Sequence, residues 1–398
     1  MRLVGVLLLA ATLTAGCGSG RDVKLKDAAP SSTSSSTSSP ETTSTTASAP
    51  TTVTAPPPTV PAATWRSIPA APGSADGAPV WTGQEFVVWA GGDGHVVADG
   101  VAYRPATNAW RHLATSPLSA RGGHSGVWTG KEILYWGGRN GSDQTLADGA
   151  AYDPASDTWR RLPAAPIPGH FGHEAIWTGR EMVVWGGTTQ CCPIDSTLHD
   201  TEATAYDPAA GRWRRLADVP PPWSGDDGAA ITGTRAGDVF VWRNGHLGRL
   251  DMTANRWTDL GSAPPPPPPA SGTRCSSTGG PVSIGAYATD QFFVWTGGCS
   301  AEDGAAFDLQ KSAWANIGGP PSAGLSTVVA TPDVFGLTTQ PGPGLARYDQ
   351  ARKTWQALRA PPASSFGSLP SALWTGADIL FWGGYADKPV RTGALYRP

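Results

Sequence analysis

From Trp65 onward, apolar residues fall in short runs of strand length, cut at regular intervals by turn residues. One unit shows the pattern clearly. Gly122-Gly123-His124-Ser125 leads into Val127-Trp128-Thr129-Gly130, followed by Ile133-Leu134-Tyr135-Trp136-Gly137-Gly138, Ala151-Tyr152-Asp153-Pro154 and finally Thr158-Trp159-Arg160-Arg161-Leu162. Four apolar runs separated by Gly, Asp and Pro predict four antiparallel strands, A to D.

The punctuation recurs at Trp81-Thr82-Gly83, Trp177-Thr178-Gly179 and Trp374-Thr375-Gly376, each before a strand ending in Gly-Gly or Ala-Gly-Gly. Tryptophans close successive units at Trp65, Trp110, Trp159, Trp213, Trp257, Trp314 and Trp355. A repeat at this spacing predicts radial sheets around an axis. The double glycine after strand B, Tyr-Asp-Pro near the end of C and Trp with Leu three residues later in D resemble the Kelch repeat. The resemblance implies an all-β, seven-bladed Kelch-like β-propeller over residues 64–398, similar to the central domain of galactose oxidase without its copper site. Three units are degraded. Around Trp242 and Phe335 the double glycine is missing, and after Thr296-Gly297-Gly298 the next segment is short.

The chain ends predict how the ring closes. Trp65 belongs to a D strand with no A, B or C before it, whereas Ser371 to Pro398 supplies A, B and C without D. Pairing the Trp65 strand with Leu395-Tyr396 completes the seventh blade and leaves no unpaired edge at the junction. Repetition assigns the tryptophans to the wedges between blades. The recurrent Glu85, Glu132 and Glu181 are assigned to a turn on the same ground.

Composition agrees with many strands and turns: 50 Gly, 38 Pro and 18 Trp in 398 residues, with 15% charged. The formal net charge of −3 comes with no Lys/Arg block able to track a phosphate backbone, which argues against a nucleic-acid partner. Before the repeats, Met1-Arg2 and an apolar run from Leu3 to Leu13 end at Ala15-Gly16-Cys17, the layout of an export signal. It resembles the bacterial lipoprotein signal, with Thr14 where that family usually has Leu, and implies lipidation of Cys17. The segments expected are a signal at 1–17, a disordered Ser/Thr/Pro tether at 18–63 and the propeller. They predict an extracytoplasmic, membrane-anchored monomer.

Strand parity sorts the loops. A–B and C–D turns share one face, while B–C and D–A connections share the other, and the second set is the more variable. Known Kelch propellers resemble this in binding partners on that second face. Candidate contacts there are Arg139, Trp223, Asp226, Arg274 and Tyr385. The cysteines of the repeat region are Cys191, Cys192, Cys275 and Cys299, and an oxidising compartment favours disulfides. Three pairings are possible. Parity brings Cys275 and Cys299 to one face of the fifth blade, which would leave a vicinal Cys191-Cys192 bridge. The alternative is a metal site from His170, His173 and His199 beside the Cys191-Cys192 loop, although His124 occupies the place of His173 in the preceding repeat.

Three functional classes fit this sequence. The leading one is a binding module for a cell-envelope glycan or an exported protein, with no cofactor. The second is a sugar-modifying enzyme, mutarotase-like or oxidase-like. The oxidase centre would need two Tyr, two His and a Cys cross-linked to Tyr; the mutarotases resembling this repeat carry a paired Glu and Arg in the funnel. Neither set is identified in the sequence, and no catalytic residue is assigned. The third is an envelope scaffold. The inner segments Gly122 to Trp128, Gly172 to Trp177 and Gly228 to Thr232 predict a channel with few charges.

Overall fold

The computed structural model describes residues 64–398 except 74–76, 92–95, 190–199, 222, 224–230, 244, 263–281, 289, 298–303, 320–324, 339–343, 363–365, 368–369 and 385–389. Its strands form seven four-stranded antiparallel sheets, and six of them use consecutive strands. The clearest repeat is blade 2, with A at Ser125–Trp128, B at Ile133–Trp136, C at Gly149–Asp153 and D at Thr158–Arg161. The degraded units are complete blades too. In blade 4, strand B ends at Arg243 and C begins at His246, so that connection is too short to need a double glycine.

The seventh sheet joins the chain ends. Thr64–Ile68 pairs antiparallel with Gly393–Arg397, setting Trp65 opposite Tyr396 and Arg66 opposite Leu395. The expected closure is therefore present, and the inner strands of this blade come from Ser371–Trp374 and Ile379–Trp382.

Strand B is the buried heart of each blade. Ile133 to Trp136, Met182 to Trp185 and Ile379 to Trp382 are buried along their whole length, as expected for a strand covered on both faces by neighbouring blades. Alternation then divides the side chains between two seams. In blade 3, Val183 and Trp185 pack toward blade 4, while Met182 and Val184 pack toward blade 2.

The D-strand tryptophans cross these seams. Trp110 lies 4.8 Å from Trp382, Trp159 5.4 Å from Trp89, Trp213 6.0 Å from Trp136 and Trp355 5.4 Å from Trp295, centroid to centroid. Each first-named ring belongs to one blade and its partner to strand B of the blade before. Several indole N–H groups also donate backwards, Trp110 to Pro69 O at 2.8 Å, Trp159 to Ala114 O at 2.9 Å and Trp213 to Pro163 O at 2.9 Å. One residue type thus fills the wedge and satisfies its own polar atom there.

The double glycines admit the neighbouring blade. Gly137 has φ +71°, and a Cβ on it would meet His173 Cε1 at 2.5 Å and His170 O at 2.8 Å in the approach to blade 3. Only glycine meets both demands.

The recurrent glutamates bind D-strand arginines of their own blade. Glu85 takes Arg111 at 2.7 Å and Arg104 at 2.9 Å, and Glu181 takes Arg214 at 2.7 Å. Burial would raise the Glu85 carboxyl, but the hydrogen bonds and charges of Arg111 and Arg104 outweigh it and hold it below its ordinary value. In blade 7, Asp378 and Arg397 repeat the Glu85–Arg104 pair, since Arg397 and Arg104 both end strand C.

Removing the Thr64–Ile68 strand should expose the full edge of Gly393–Arg397 and release the Trp65 indole, which donates to Arg359 O at 3.1 Å. Chemical denaturation of Trp65→Ala should show a loss of about 3 kcal/mol, the range for truncating a packed aromatic. A chain starting at Pro69 should aggregate or melt non-cooperatively, whereas one starting at Ala62 should melt like the full chain. An unchanged melt for the Pro69 chain would refute closure as the source of ring stability.

Candidate functional site

The face made by B–C and D–A connections is best described where blades 2 and 3 meet. Arg139 follows the double glycine of blade 2, and its backbone bridges Gly122 on one side and Thr145 on the other. The next connection is fastened to it, because Gly138 N donates to His170 O at 2.8 Å and Gly172 N to Gly123 O at 2.9 Å. Parity thus places these loops together, as the sequence predicts.

This backbone lattice aims Arg139 outward. Its guanidinium lies 4.7 Å from the Phe171 ring centroid and 3.0 Å from Asp143 Oδ1, with the side chain 36% exposed. A cation stacked on an aromatic ring is held in place and loses little freedom when a partner binds.

Beneath this platform runs a belt of buried polar groups. Arg121 is wholly buried, and donates to Ser119 O at 3.0 Å, Gly137 O at 3.1 Å and Asp148 Oδ1 at 2.8 Å, tying down the start and end of the blade 2 B–C connection. Sequence reasoning passed over it, since its partners lie up to 27 residues away. His173 shares a hydrogen bond of 2.8 Å between its Nε2 and Ser125 Oγ. Burial, assisted by His170 and His124, pushes its pKa down to about 3; burial, with Arg121, does the same to His124. The Ser125–His173 pair has the spacing of a nucleophile and base, but among the described residues no side chain orients the ring from Nδ1, and so depressed a pKa makes a feeble base.

His170 is wholly buried, with Nε2 3.5 Å from both Asp200 Oδ2 and Glu202 Oε2. Glu202 is held from outside by Arg215 at 3.1 Å. Among the described residues no three His, Cys, Asp or Glu side chains converge as metal ligands. The other ligands of the expected metal set, His199 and the Cys191-Cys192 loop, lie outside the described residues. His173 repeats the role of His124, each lying edge-on to a strand B tryptophan, Trp136 and Trp89 respectively, at 5.0 Å.

Trp223 requires a correction. Expected as a contact on the binding face, it is 3% exposed and stacked on Trp257 at 5.7 Å, with its ring over Gly248. The proline-rich approach to it delivers the indole into the seam between blades 3 and 4. Of the other sequence candidates, Cys17, Cys191, Cys192, Cys275, Cys299, His199, Asp226, Arg274 and Tyr385 lie outside the described residues.

The inner strands also depart from expectation. Glu174 opens strand A of blade 3, Glu174–Trp177, at a position filled by Ala78, Ser125 and Ser371 in blades 1, 2 and 7. Ile176, two residues on, packs toward blade 4, so parity turns Glu174 to the same side, where Arg243 ends strand B of that blade. Enclosure raises the Glu174 carboxyl to about 7, and the Arg243 charge only partly opposes this. A Glu with an Arg acting on it thus stands on the inner strand, toward the seam with blade 4, a pairing of residues 69 apart in sequence that the repeat pattern alone did not single out.

These groups make opposed contributions to acid stability. The folded pKa values of His124 and His173 lie below the ordinary 6.5, so their contribution is complete above pH 6.5 and is lost as pH falls from there toward 3. Glu174, raised from 4.5 to about 7, works the other way, gaining stability as pH falls from 7 to 4.5. Two histidines with the larger shifts outweigh one glutamate, so stability should fall from pH 6.5 to 4.5. Denaturation of His124→Phe/His173→Phe across this range should show that fall abolished or reversed, and Glu174→Gln should steepen it. A wild-type profile in the double variant would overturn the burial argument.

Comparison with known proteins follows from this geometry. The Kelch-repeats domain described for KLHDC2, KLHL20 and DRC7 matches residues 78–286. No curated protein matches the chain. Among solved structures, a fungal alcohol oxidase of the AA5 family, determined in complex with copper, is similar with a TM-score of 0.60 and 13% identity, over 84% of this chain and 76% of that one. That likeness is one of fold. With seven closed blades, tryptophan-filled seams and a domain match spanning half its length, the chain belongs to the KLHDC2/KLHL20/DRC7 Kelch-repeats domain family.

Proposed function

We propose that this chain is a binding module held on the outer side of a bacterial membrane, which engages an exported protein through the B–C and D–A face. The Kelch propeller fold suggests a protein-binding module, and the Arg139 platform on Phe171 is the observation that carries the reading here. Arg and aromatic side chains supply much of the binding energy at interfaces, and this pair is held by paired backbone on both sides. The apolar run ending at Cys17 and the Ser/Thr/Pro stretch after it support export, lipid anchoring and a spacer that presents the propeller. A cell-envelope glycan is the other ligand class for the same face.

Glu174 favours a second reading, a sugar-modifying enzyme. A carboxyl near neutrality can exchange a proton with a ligand that reaches the inner strand at working pH.

Crosslinking of exported proteins to the full chain should give a specific partner, lost at least tenfold in Arg139→Ala without change in the melt. Cys17→Ser should move the chain from the detergent phase to the aqueous phase. Equal capture by Arg139→Ala would sink the platform, and a water-soluble wild-type chain would sink the anchor. Catalysed exchange of sugar anomers that Glu174→Gln abolishes would put the enzyme reading first.

A further inference from the structure

The opposite face, made by the short A–B and C–D turns, holds a cavity of about 520 Å³ where blades 3 and 4 meet. One side chain explains why the seam opens there. At the two preceding seams, a D-strand arginine reaches a tyrosine hydroxyl of the next blade, Arg111 to Tyr152 at 3.0 Å and Arg160 to Tyr206 at 3.2 Å. In blade 4 the residue opposite the D-strand tryptophan is Leu250, as Tyr152 and Tyr206 are in theirs. Arg214 finds no hydroxyl and turns to Met252 O at 3.3 Å.

The hydrogen bonds around the cavity engage its carboxylates and leave guanidinium donors free. Glu181 accepts Arg214 on both oxygens, at 2.8 and 2.7 Å. Asp207 accepts Arg180 on Oδ2 at 3.2 Å and the backbone N–H groups of Ala209 and Ala210 on Oδ1, at 2.9 and 3.0 Å. Asp238 accepts Arg249 on Oδ2 and Met252 N on Oδ1 at 3.1 Å. Every carboxylate oxygen of the lining is therefore engaged. By contrast, Arg212 is exposed and makes no side-chain hydrogen bond or ion pair among the described residues, and Nη1 of Arg180 and of Arg214 donate to nothing there. A guanidinium has donors but no acceptor, so a ligand must bring acceptors.

We propose that this cavity binds a carboxylate, carried by a small organic acid or by an acidic side chain of a peptide. The ion pairs to Glu181 and Asp207 fix two of the arginines before a ligand arrives, which lowers the cost of ordering them. Three acidic residues around three arginines disfavour a phosphate dianion, which would meet like charge on every side, and suit a single carboxylate forked on Arg212. The site lies on the face away from Arg139 and does not depend on the function proposed for that face.

Titration calorimetry of the full chain with succinate, a hexaglutamate peptide and inorganic phosphate tests this. Binding of succinate or of the peptide should fall at least tenfold in Arg212→Gln, an exposed substitution that should leave the melt unchanged. Leu250→Tyr should also abolish it by restoring the hydroxyl to Arg214 and filling the seam, while Arg139→Ala should bind as wild type. Comparable affinity for succinate and peptide assigns the site to small acids, and a tenfold preference for the peptide assigns it to acidic segments. Binding of neither, tighter binding of phosphate than of both, or full affinity in either Arg212→Gln or Leu250→Tyr would overturn the proposal.

Discussion

The ring depends on a tryptophan in each outer strand that belongs to one blade and packs in the seam of the blade before it. A four-stranded sheet of this size cannot bury both faces alone, so each blade needs a neighbour on either side, and the contact between indoles makes that need specific. Trp110 against Trp382 is the telling case, because it joins the first blade to the last. Closure through Thr64–Ile68 and Gly393–Arg397 then completes a circle of such contacts, and no blade is left at a free end.

The seams also set the electrostatics of the molecule. Toward the turn face, Glu85, Glu132 and Glu181 each hold an arginine of their own blade, and Arg111 and Arg160 extend across to the next. The carboxylates lie in protein and the arginines near water, so the pairs orient the turns as well as neutralising buried charge. On the other face the corresponding depth is filled by Arg121, His124, His170 and His173. His124 and His173, each edge-on to a strand B tryptophan, stay neutral there because burial disfavours their charged form.

Most of the fold was legible because its determinants repeat. Trp-Thr-Gly, the double glycine and the closing tryptophan mark strand ends in blade after blade, and parity alone put Arg139 on one face with the D–A connections. What stayed hidden rests on single departures whose partners are distant in sequence. Trp223 sits among prolines like a loop residue, yet Gly248 lacks a side chain where the indole needs space, and nothing near Trp223 announces that. Glu174 occupies a place where other blades have alanine or serine, and its meaning depends on which side of the strand it faces and on Arg243 across the seam. Leu250 is an ordinary strand residue until the missing hydroxyl is set against Arg214.

In a repeat protein, an interaction found at every seam is accounted for by the ring, and a site is sought where the pattern breaks. The breaks described here gather around blade 3. Phe171 meets Arg139 at its seam with blade 2, while Glu174 stands on its inner strand and Leu250 leaves Arg214 without a hydroxyl at its seam with blade 4. Each break costs local packing or burial that the regular blades retain. The tryptophan seams on either side, with Trp213 against Trp136 and Trp257 against Trp223, keep blade 3 in register despite them. The ring can thus carry several irregular groups on one blade because its closure does not depend on any of them.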